Sequence, residues 1–413
     1  MENSLIEPHC NHFVIRKKRY CRMTVKTGEK YCGEHQINSI SEGTSANQSN
    51  KKRIICPLDP KHTCYESKLK KHLKKCNAKS VTDILYIQKN INVPEGEAVL
   101  ENRCLSKVPI QQLLEVIRKV NTLHSEIIKN SITEKYLTHS ILEDELTNPN
   151  YGLLTKKHLQ QASSILGLLK EYGLLQSDTC FIEFGAGRGK LSYWLSKTLE
   201  LLGFDSSKVL LIERASHRHK CENKLDNTLV KVLRIRADIA DLILSKVEAV
   251  NESKHIIGVT KHLCGDGTDL ALNCLINCQK AGKDVSGMVM TFCCLHRCRW
   301  STYTGRHYFE EIGIASEDFD VMCSLVSWAV CGSGQGREKR KSIDECLNYT
   351  ERDLKIGLSR SEKEIVGRKC KDLINWGRKE FLQRLGFKCD LCHYVKNEVS
   401  LENICMVVTK EKL

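Results

Sequence analysis

Short apolar runs alternate with stretches of helical periodicity along the last two thirds of the chain. Cys180–Phe184, Val209–Ile212, Val230–Ile235, His255–Thr260, Gly287–Phe292 and Ile404–Thr409 are each four to six residues long, the signature of strands buried on both faces. A further strand is predicted after Gly386-Phe387. Leu191, Trp194, Leu195, Leu199 and Leu202 recur at helical spacing behind the first of these runs, and Tyr151 to Leu169 reads as the helix in front of it. Helical spacing returns around Ile365 to Leu385, with Arg368, Lys369, Lys371, Arg378 and Lys379 along it. Upstream, Ile110, Leu113, Leu114, Ile117, Val120 and Leu123 form one apolar stripe, read as a packing face rather than a functional one. Strand–helix alternation of this kind predicts an α/β domain built on a parallel, Rossmann-like sheet.

The polar punctuation between these elements supplies chemistry. The run Cys180–Phe184 ends at Gly185-Ala186-Gly187-Arg188-Gly189 and a helix follows at once. This strand, glycine loop, helix order lets backbone approach a ligand and aims the free N–H groups of the helix start at its polar atoms. A dinucleotide fingerprint needs its third glycine one place later, where Lys190 stands. Glu183, two residues before the first glycine, completes E-x-G-x-G-x-G, a pattern that resembles class I S-adenosylmethionine (SAM) methyltransferases. Its carboxylate is expected to hold the cofactor indirectly, through the loop or the amino-acid end. Glu213 closes the second run, 24 residues past Gly189, where an acidic side chain accepts bonds from ribose hydroxyls. Asp238, after the third run, reads either as a contact to the adenine amino group or as a helix N-cap.

The first 80 residues differ in kind. Cys10, Cys21, Cys32 and His35 stand at C-x10-C-x10-C-x2-H, four N/S ligands for a closed tetrahedral zinc site, in a segment too short for a core of its own. Between them runs Arg16-Lys17-Lys18-Arg19-Tyr20, suited to a nucleic-acid backbone. After a Ser/Asn-rich linker at 38–50, His72 and Cys76 share one face of a predicted helix. They need two more ligands from Cys56, His62 and Cys64. Residues 1–80 hold 17 basic and 7 acidic side chains, ten of the fourteen net positive charges, and so favour a polyanionic partner. The 22 cysteines come without a basic, apolar signal-peptide pattern or an apolar run of bilayer length. Reduced thiols in the nucleus or cytoplasm, and no membrane, are therefore expected.

At the carboxyl edge of the predicted sheet stand Lys261-His262-Leu263-Cys264-Gly265 and Cys293-Cys294-Leu295-His296-Arg297-Cys298. Lys261, His262 and His296 are candidate proton acceptors. Adjacent Cys293 and Cys294 fit one tetrahedron poorly, so a packed pocket wall is preferred there to a third metal. Cys389 and Cys392 read as an incidental pair in a hairpin. Gly332–Lys341 reads as a mobile basic segment.

Taken in order, the Cys10/Cys21/Cys32/His35 set, the Cys56-Pro-Leu-Asp-Pro-Lys-His62…His72-x3-Cys76 set, the E-x-G-x-G-x-G loop, Lys-His-Leu-Cys-Gly and the Cys-Cys-x-His-x-Cys run resemble one eukaryotic family over nearly the whole chain. It is the tRNA 2′-O-ribose methyltransferase family acting on nucleotide 4 of the acceptor stem. The resemblance selects Cys56, His62, His72 and Cys76 as a CHHC zinc finger and leaves Cys64 aside. It implies SAM as methyl donor, two zinc ions, and selected tRNAs as substrate. Family sequences often carry His at the place of Leu295, and this departure shifts attention to His296. The implied architecture is a CCCH finger over 1–40, a CHHC finger over 51–80, a helical linker region over 81–150 and a Rossmann-like class I methyltransferase domain over 151–413. Two rivals stand beside it: a zinc-dependent RNA-binding adaptor with an inactive methyltransferase-like domain, and a methyltransferase for proteins or small molecules.

Overall fold

The computed structural model describes residues 9–14, 19–21, 23–25, 28–32, 35, 53–76, 84–94, 105–217, 220–225, 228–330 and 351–410, without the side chains of Asp59, Lys61, His62, Lys75 and Val330. They fall into two compact units, Met1–Asp83 and Ile84–Leu413. The 38–50 linker and the Gly332–Lys341 segment lie outside the described residues.

The smaller unit has little regular structure. Strands β1 (Phe13–Val14) and β2 (Arg19–Tyr20) pair antiparallel, and β3 (Arg53–Cys56) and β4 (Asp59–Tyr65) form a hairpin followed by helix α1 (Leu69–Lys75). Its buried hydrophobic positions are all cysteines: Cys10, Cys32, Cys56, Cys64 and Cys76. No apolar side chain other than these is buried there among the described residues, so hydrophobic burial cannot hold this unit together.

The larger unit is the expected α/β domain. Helix α2 (Ile110–Leu123) opens after Pro109, and its stripe Leu113, Val116, Ile117 and Val120 is buried. Strand β5 (Thr133–Glu134) and helix α3 (Leu153–Glu171) follow. Then come β6 (Thr179–Phe184), α4 (Lys190–Leu201), β7 (Lys208–Ile212), β8 (Lys231–Ile235), β9 (His255–Cys264), α5 (Asp266–Lys280), β10 (Val285–Cys293), α6 (Ser316–Leu325), α7 (Arg360–Gln383), β11 (Phe387–His393) and β12 (Ile404–Lys410). The sheet order is β5-β11-β12-β10-β9-β6-β7-β8. Only β12 runs antiparallel to its neighbours. Counted from β6, that is 3-2-1-4-5-7-6 with a short extra edge strand, the sheet of class I methyltransferases. The order reverses between β6 and β9, and ligands of open sheets collect at the carboxyl ends of the strands beside such a point.

Every residue of β6 is buried, because helices cover both faces. Cys180, Ile182 and Phe184 join one apolar core and Phe181 the other, as a period of two requires. Each such side chain contributes roughly 1.5–3 kcal/mol. Charge is buried too: Arg378 on α7 and Asp269 on α5 are both fully inaccessible, with Nη2 donating to Oδ2 at 2.6 Å and Nε to Oδ1 at 3.1 Å. Helix α7 starts at a capping box, Ser359 Oγ accepting from the Glu362 N–H and Glu362 accepting from the Ser359 N–H.

The structure redraws several expectations. Within the 81–150 region, read as a helical linker with a packing stripe, β5 pairs with β11 and α2 packs against α7, and the larger unit starts at Ile84. Strand β9 runs on to Cys264 instead of stopping at Thr260, since pairing with β10 resumes after a register shift, Leu263 with Phe292 and Cys264 with Cys293. Leu202 lies past the end of α4 and is exposed. Cys389 and Cys392 sit within β11 and enter opposite cores, so they cannot share a metal. Lys371 and Arg378, on the basic run of α7, are buried.

Candidate active site and metal centres

The glycine loop leaves β6 with three left-handed residues, Gly185 (φ 67°), Gly187 (φ 52°) and Gly189 (φ 74°). A Cβ at Gly189 would fall 2.7 Å from Glu222 Oε2 and 2.8 Å from Leu211, while one at Gly187 would meet nothing within 4 Å. The first contact fixes close packing of the loop and the second leaves bare backbone. Glu183 supports the loop from beneath. It is buried and accepts from the backbone N–H of Ser192 at 2.9 Å and from the Ser192 hydroxyl. Burial pushes its carboxyl up to about 7 against those bonds and against Lys261 and Arg234. Glu213 accepts from the N–H of Gly187 at 2.8 Å and of Ala215 at 2.7 Å. Arg234 donates to the Gly187 carbonyl at 2.9 Å and pairs with Glu222. Sequence reading missed Ser192, Glu222 and Arg234, which belong to no motif and meet the loop only through the fold.

Above this loop lies a cavity of about 880 Å³. Gly185, Glu213, Asp238, Ile212, Ala237, Ile239 and Leu270 form one part of its wall, and His262, Cys264, Asp266, Arg297 and Arg299 another. Asn90, Val93 and Pro94 complete it, held by Asn92, whose side-chain amide donates to the carbonyls of Ile239 and Leu242. Bare glycine backbone, apolar flanks and carboxylates at the ends of β7 and β8 suit an adenosine: two hydroxyls for Glu213, a flat base among Ala237, Ile239 and Leu270. Asp238 caps a helical turn, Oδ1 accepting from the Ala240 N–H at 3.1 Å, and the residue borders the cavity.

The three candidate proton acceptors separate. His262 borders the cavity, with solvent access, and its imidazole is pushed down to about 4 by desolvation and by the Lys261 charge. Lys261 is buried behind it, Nζ lying 3.4 Å from His158 Nδ1 and 3.3 Å from the His158 carbonyl. Burial lowers it to about 8, with Glu183 pulling the other way. His158 in turn meets the His262 ring edge-on at 5.8 Å. His296, on a short turn after β10, is not among the residues lining the cavity.

Among the described residues, cysteines gather in three places. Cys10, Cys21, Cys32 and His35 bring four ligand atoms within 4.8 Å of one another, with His35 Nδ1 3.4 Å from Cys10 Sγ and 3.3 Å from Cys32 Sγ. The His12 ring stacks on His35 at 3.8 Å. Arg16–Lys18 lie outside the described residues, and Tyr20 beside them is exposed. Cys56, His72 and Cys76 form the second set, Cys56 Sγ standing 3.6 Å from Cys76 Sγ and 3.2 Å from His72 Nε2. The side chain of His62, the expected fourth ligand, lies outside the described residues, and Cys64 does not join the set. Soft sulfur with imidazole in such compact groups is the donor chemistry of structural zinc. The third set is Cys264, Cys293 and Cys294. Cys298 is elsewhere, accepting from Arg378 at 3.2 Å.

The family model for "Methyltransferase TRM13" matches residues 160–409, that for "CCCH zinc finger in TRM13 protein" matches 8–36, and a U11-48K-like CHHC zinc finger matches 53–77. The mouse and human proteins named "tRNA:m(4)X modification enzyme TRM13 homolog" are each 33% identical to the chain, covering 97% of it and 94% of themselves. The Saccharomyces cerevisiae protein "tRNA:m(4)X modification enzyme TRM13" is 27% identical over 97% of the chain and 96% of its own length. Matched over more than half its length by the one model, and a third identical to relatives across nearly all of it, the chain belongs to the TRM13 methyltransferase family.

Proposed function

We propose that the chain methylates tRNA at nucleotide 4, transferring the methyl group of SAM to the 2′-hydroxyl of that ribose in the acceptor stem. The single observation carrying this reading is the shared cavity: cofactor-type residues on one wall, Gly185, Glu213 and Asp238, face polar and basic residues on another, His262, Arg297 and Arg299. SAM, when bound, supplies a methyl group already activated on a sulfonium. The chain's own residues must therefore mainly hold two reactants in line, an effect that reaches roughly 7–11 kcal/mol.

Gly185 and Gly187 offer backbone to the cofactor, Glu213 its carboxylate, and Glu183 fixes the loop through Ser192. His262 accepts the hydroxyl proton, being neutral at pH 7 and at the cavity wall. Lys261 and His158 position it from behind. Arg297 and Arg299 meet the RNA backbone. A-form RNA presents its 2′-hydroxyls in a wide, shallow minor groove, open to a site of this kind. The basic fingers, each folded around one zinc ion, grip the stem through phosphates.

Incubation of the protein with methyl-labelled SAM and, separately, bulk tRNA and cell protein tests this. Label in alkali-resistant dinucleotides from tRNA is the expected result. Label in protein, or in neither pool, overturns it. The acceptor is read from the pH profile of kcat/KM. With His262, its pKa about 4, the profile is flat from pH 6 to 9; with Lys261, about 8, it climbs tenfold per unit up to pH 8. His262→Ala should cut kcat far more than SAM affinity.

A further inference from the structure

We propose that Cys264, Cys293 and Cys294 form a third metal site, binding one thiophilic divalent ion of the zinc class at the carboxyl edge of the sheet, with its fourth coordination position open toward the cavity.

The three Sγ atoms lie within 4.8 Å of one another and come from two places in the chain, the end of β9 and the end of β10 with the residue after it. Cys264 ends β9 and Cys293 ends β10, opposite each other in the parallel register, their sulfurs 3.4 Å apart. In a continued strand Cys294 would point to the other face of the sheet. It does not, because its backbone turns left-handed, φ 53° and ψ 38°, a conformation unfavourable for any residue with a Cβ. That turn is what brings a second consecutive cysteine round to the first. It removes the objection that neighbouring cysteines cannot serve one tetrahedron. On the β9 side, Gly265 has φ 54°, and a Cβ there would lie 2.6 Å from Arg297 Cβ. The two strand ends are thus folded tightly around the sulfurs by backbone that ordinary side chains would not permit.

Cys264 is solvent-exposed and borders the cavity, while Cys293 is buried, so the ion has an entry path on one side only. Three protein ligands plus an accessible position is the pattern of an open site rather than a sealed structural one. The ion would pin β9 to β10 two residues along the chain from His262.

The proposal stands apart from the zinc reading of the fingers, and the test separates them. Full-length protein, purified with zinc present, is assayed for bound metal by mass spectrometry, as wild type, as Cys264→Ala, as Cys294→Ala and as Cys10→Ala. Each cluster variant should carry one zinc fewer than wild type whatever the fingers hold, and Cys10→Ala should lose its ion independently. Cobalt replacement should give thiolate charge-transfer absorption that Cys264→Ala diminishes by roughly three eighths, the share of this cluster's sulfurs among those of the three sites. Since Cys264 is exposed, that variant folds if circular dichroism matches wild type. Equal zinc content in wild type and both cluster variants overturns the proposal. So does a Cys264–Cys293 disulfide in the protein as purified, recovered by peptide mapping after alkylation without reductant.

Discussion

The two units reach order by opposite routes. Among the described residues of Met1–Asp83 the buried hydrophobic positions are cysteines and the regular elements are two to seven residues long; in Ile84–Leu413 two apolar cores sandwich an eight-stranded sheet. One is held by sulfur and imidazole that need an ion, the other by hydrocarbon that needs none. The small unit can therefore devote its surface to charge, and the large one can hold a bare glycine loop and a buried carboxylate at its site. Function divides along the same line, with RNA affinity expected of the first and chemistry of the second.

Metal removal is the strongest way to break this contrast. Structural zinc contributes about 10–16 kcal/mol of apparent binding free energy in finger-sized modules at pH 7, which here is folding free energy. All four tryptophans, Trp194, Trp300, Trp328 and Trp376, lie in the larger unit. Chelation should expose the first 83 residues to rapid proteolysis while tryptophan emission stays native. Protease resistance of the metal-free segment would sink the idea that ligands replace a core there.

Next in size is the ion pair between Arg378 and Asp269. Both are wholly buried, and Asp269 also accepts from the Thr304 N–H and hydroxyl. Arg378→Ala leaves an uncompensated carboxylate and should cost about 3–5 kcal/mol, read as a lower urea midpoint by tryptophan fluorescence. Zinc content of the fingers should not change. A loss under 1 kcal/mol would show that water reaches the pair.

Much of this was legible in the chain. The strands of the sheet follow from apolar runs because both faces are covered, and the glycine loop follows from residues that adopt positive φ without the steric cost of a Cβ. The part of the cavity wall from Asn90, Val93 and Pro94 was not legible, nor were Glu222 and Arg234 behind the glycine loop: they arrive through tertiary packing and carry no local pattern. The third sulfur set was hidden for a sharper reason. Proximity in sequence grouped Cys293 and Cys294 with Cys298, whereas strand pairing groups them with Cys264, 29 residues before Cys293, and sends Cys298 to Arg378.

The smallest effect distinguishes the units by the sign of their response to pH. Finger ligands bind metal only when deprotonated, so the small unit must lose stability as pH falls. Glu183 acts the other way in the large unit. Its folded value of about 7 lies above the ordinary 4.5, because burial disfavours the carboxylate. The folded state thus binds the proton more tightly than the unfolded chain. The resulting stability is fully present below pH 4.5 and is lost as pH rises through 7, a difference of roughly 3 kcal/mol for this one group. Glu183→Gln keeps the shape and removes the titration. The difference between wild type and variant in urea stability, measured by tryptophan fluorescence, should therefore shift by about 2.5 kcal/mol between pH 5 and pH 8, the wild type losing ground at the higher pH. A constant difference across that range would mean that the Ser192 bonds hold the carboxylate charged throughout, and the buried carboxylate would then belong with the charge-tolerant chemistry of the fingers.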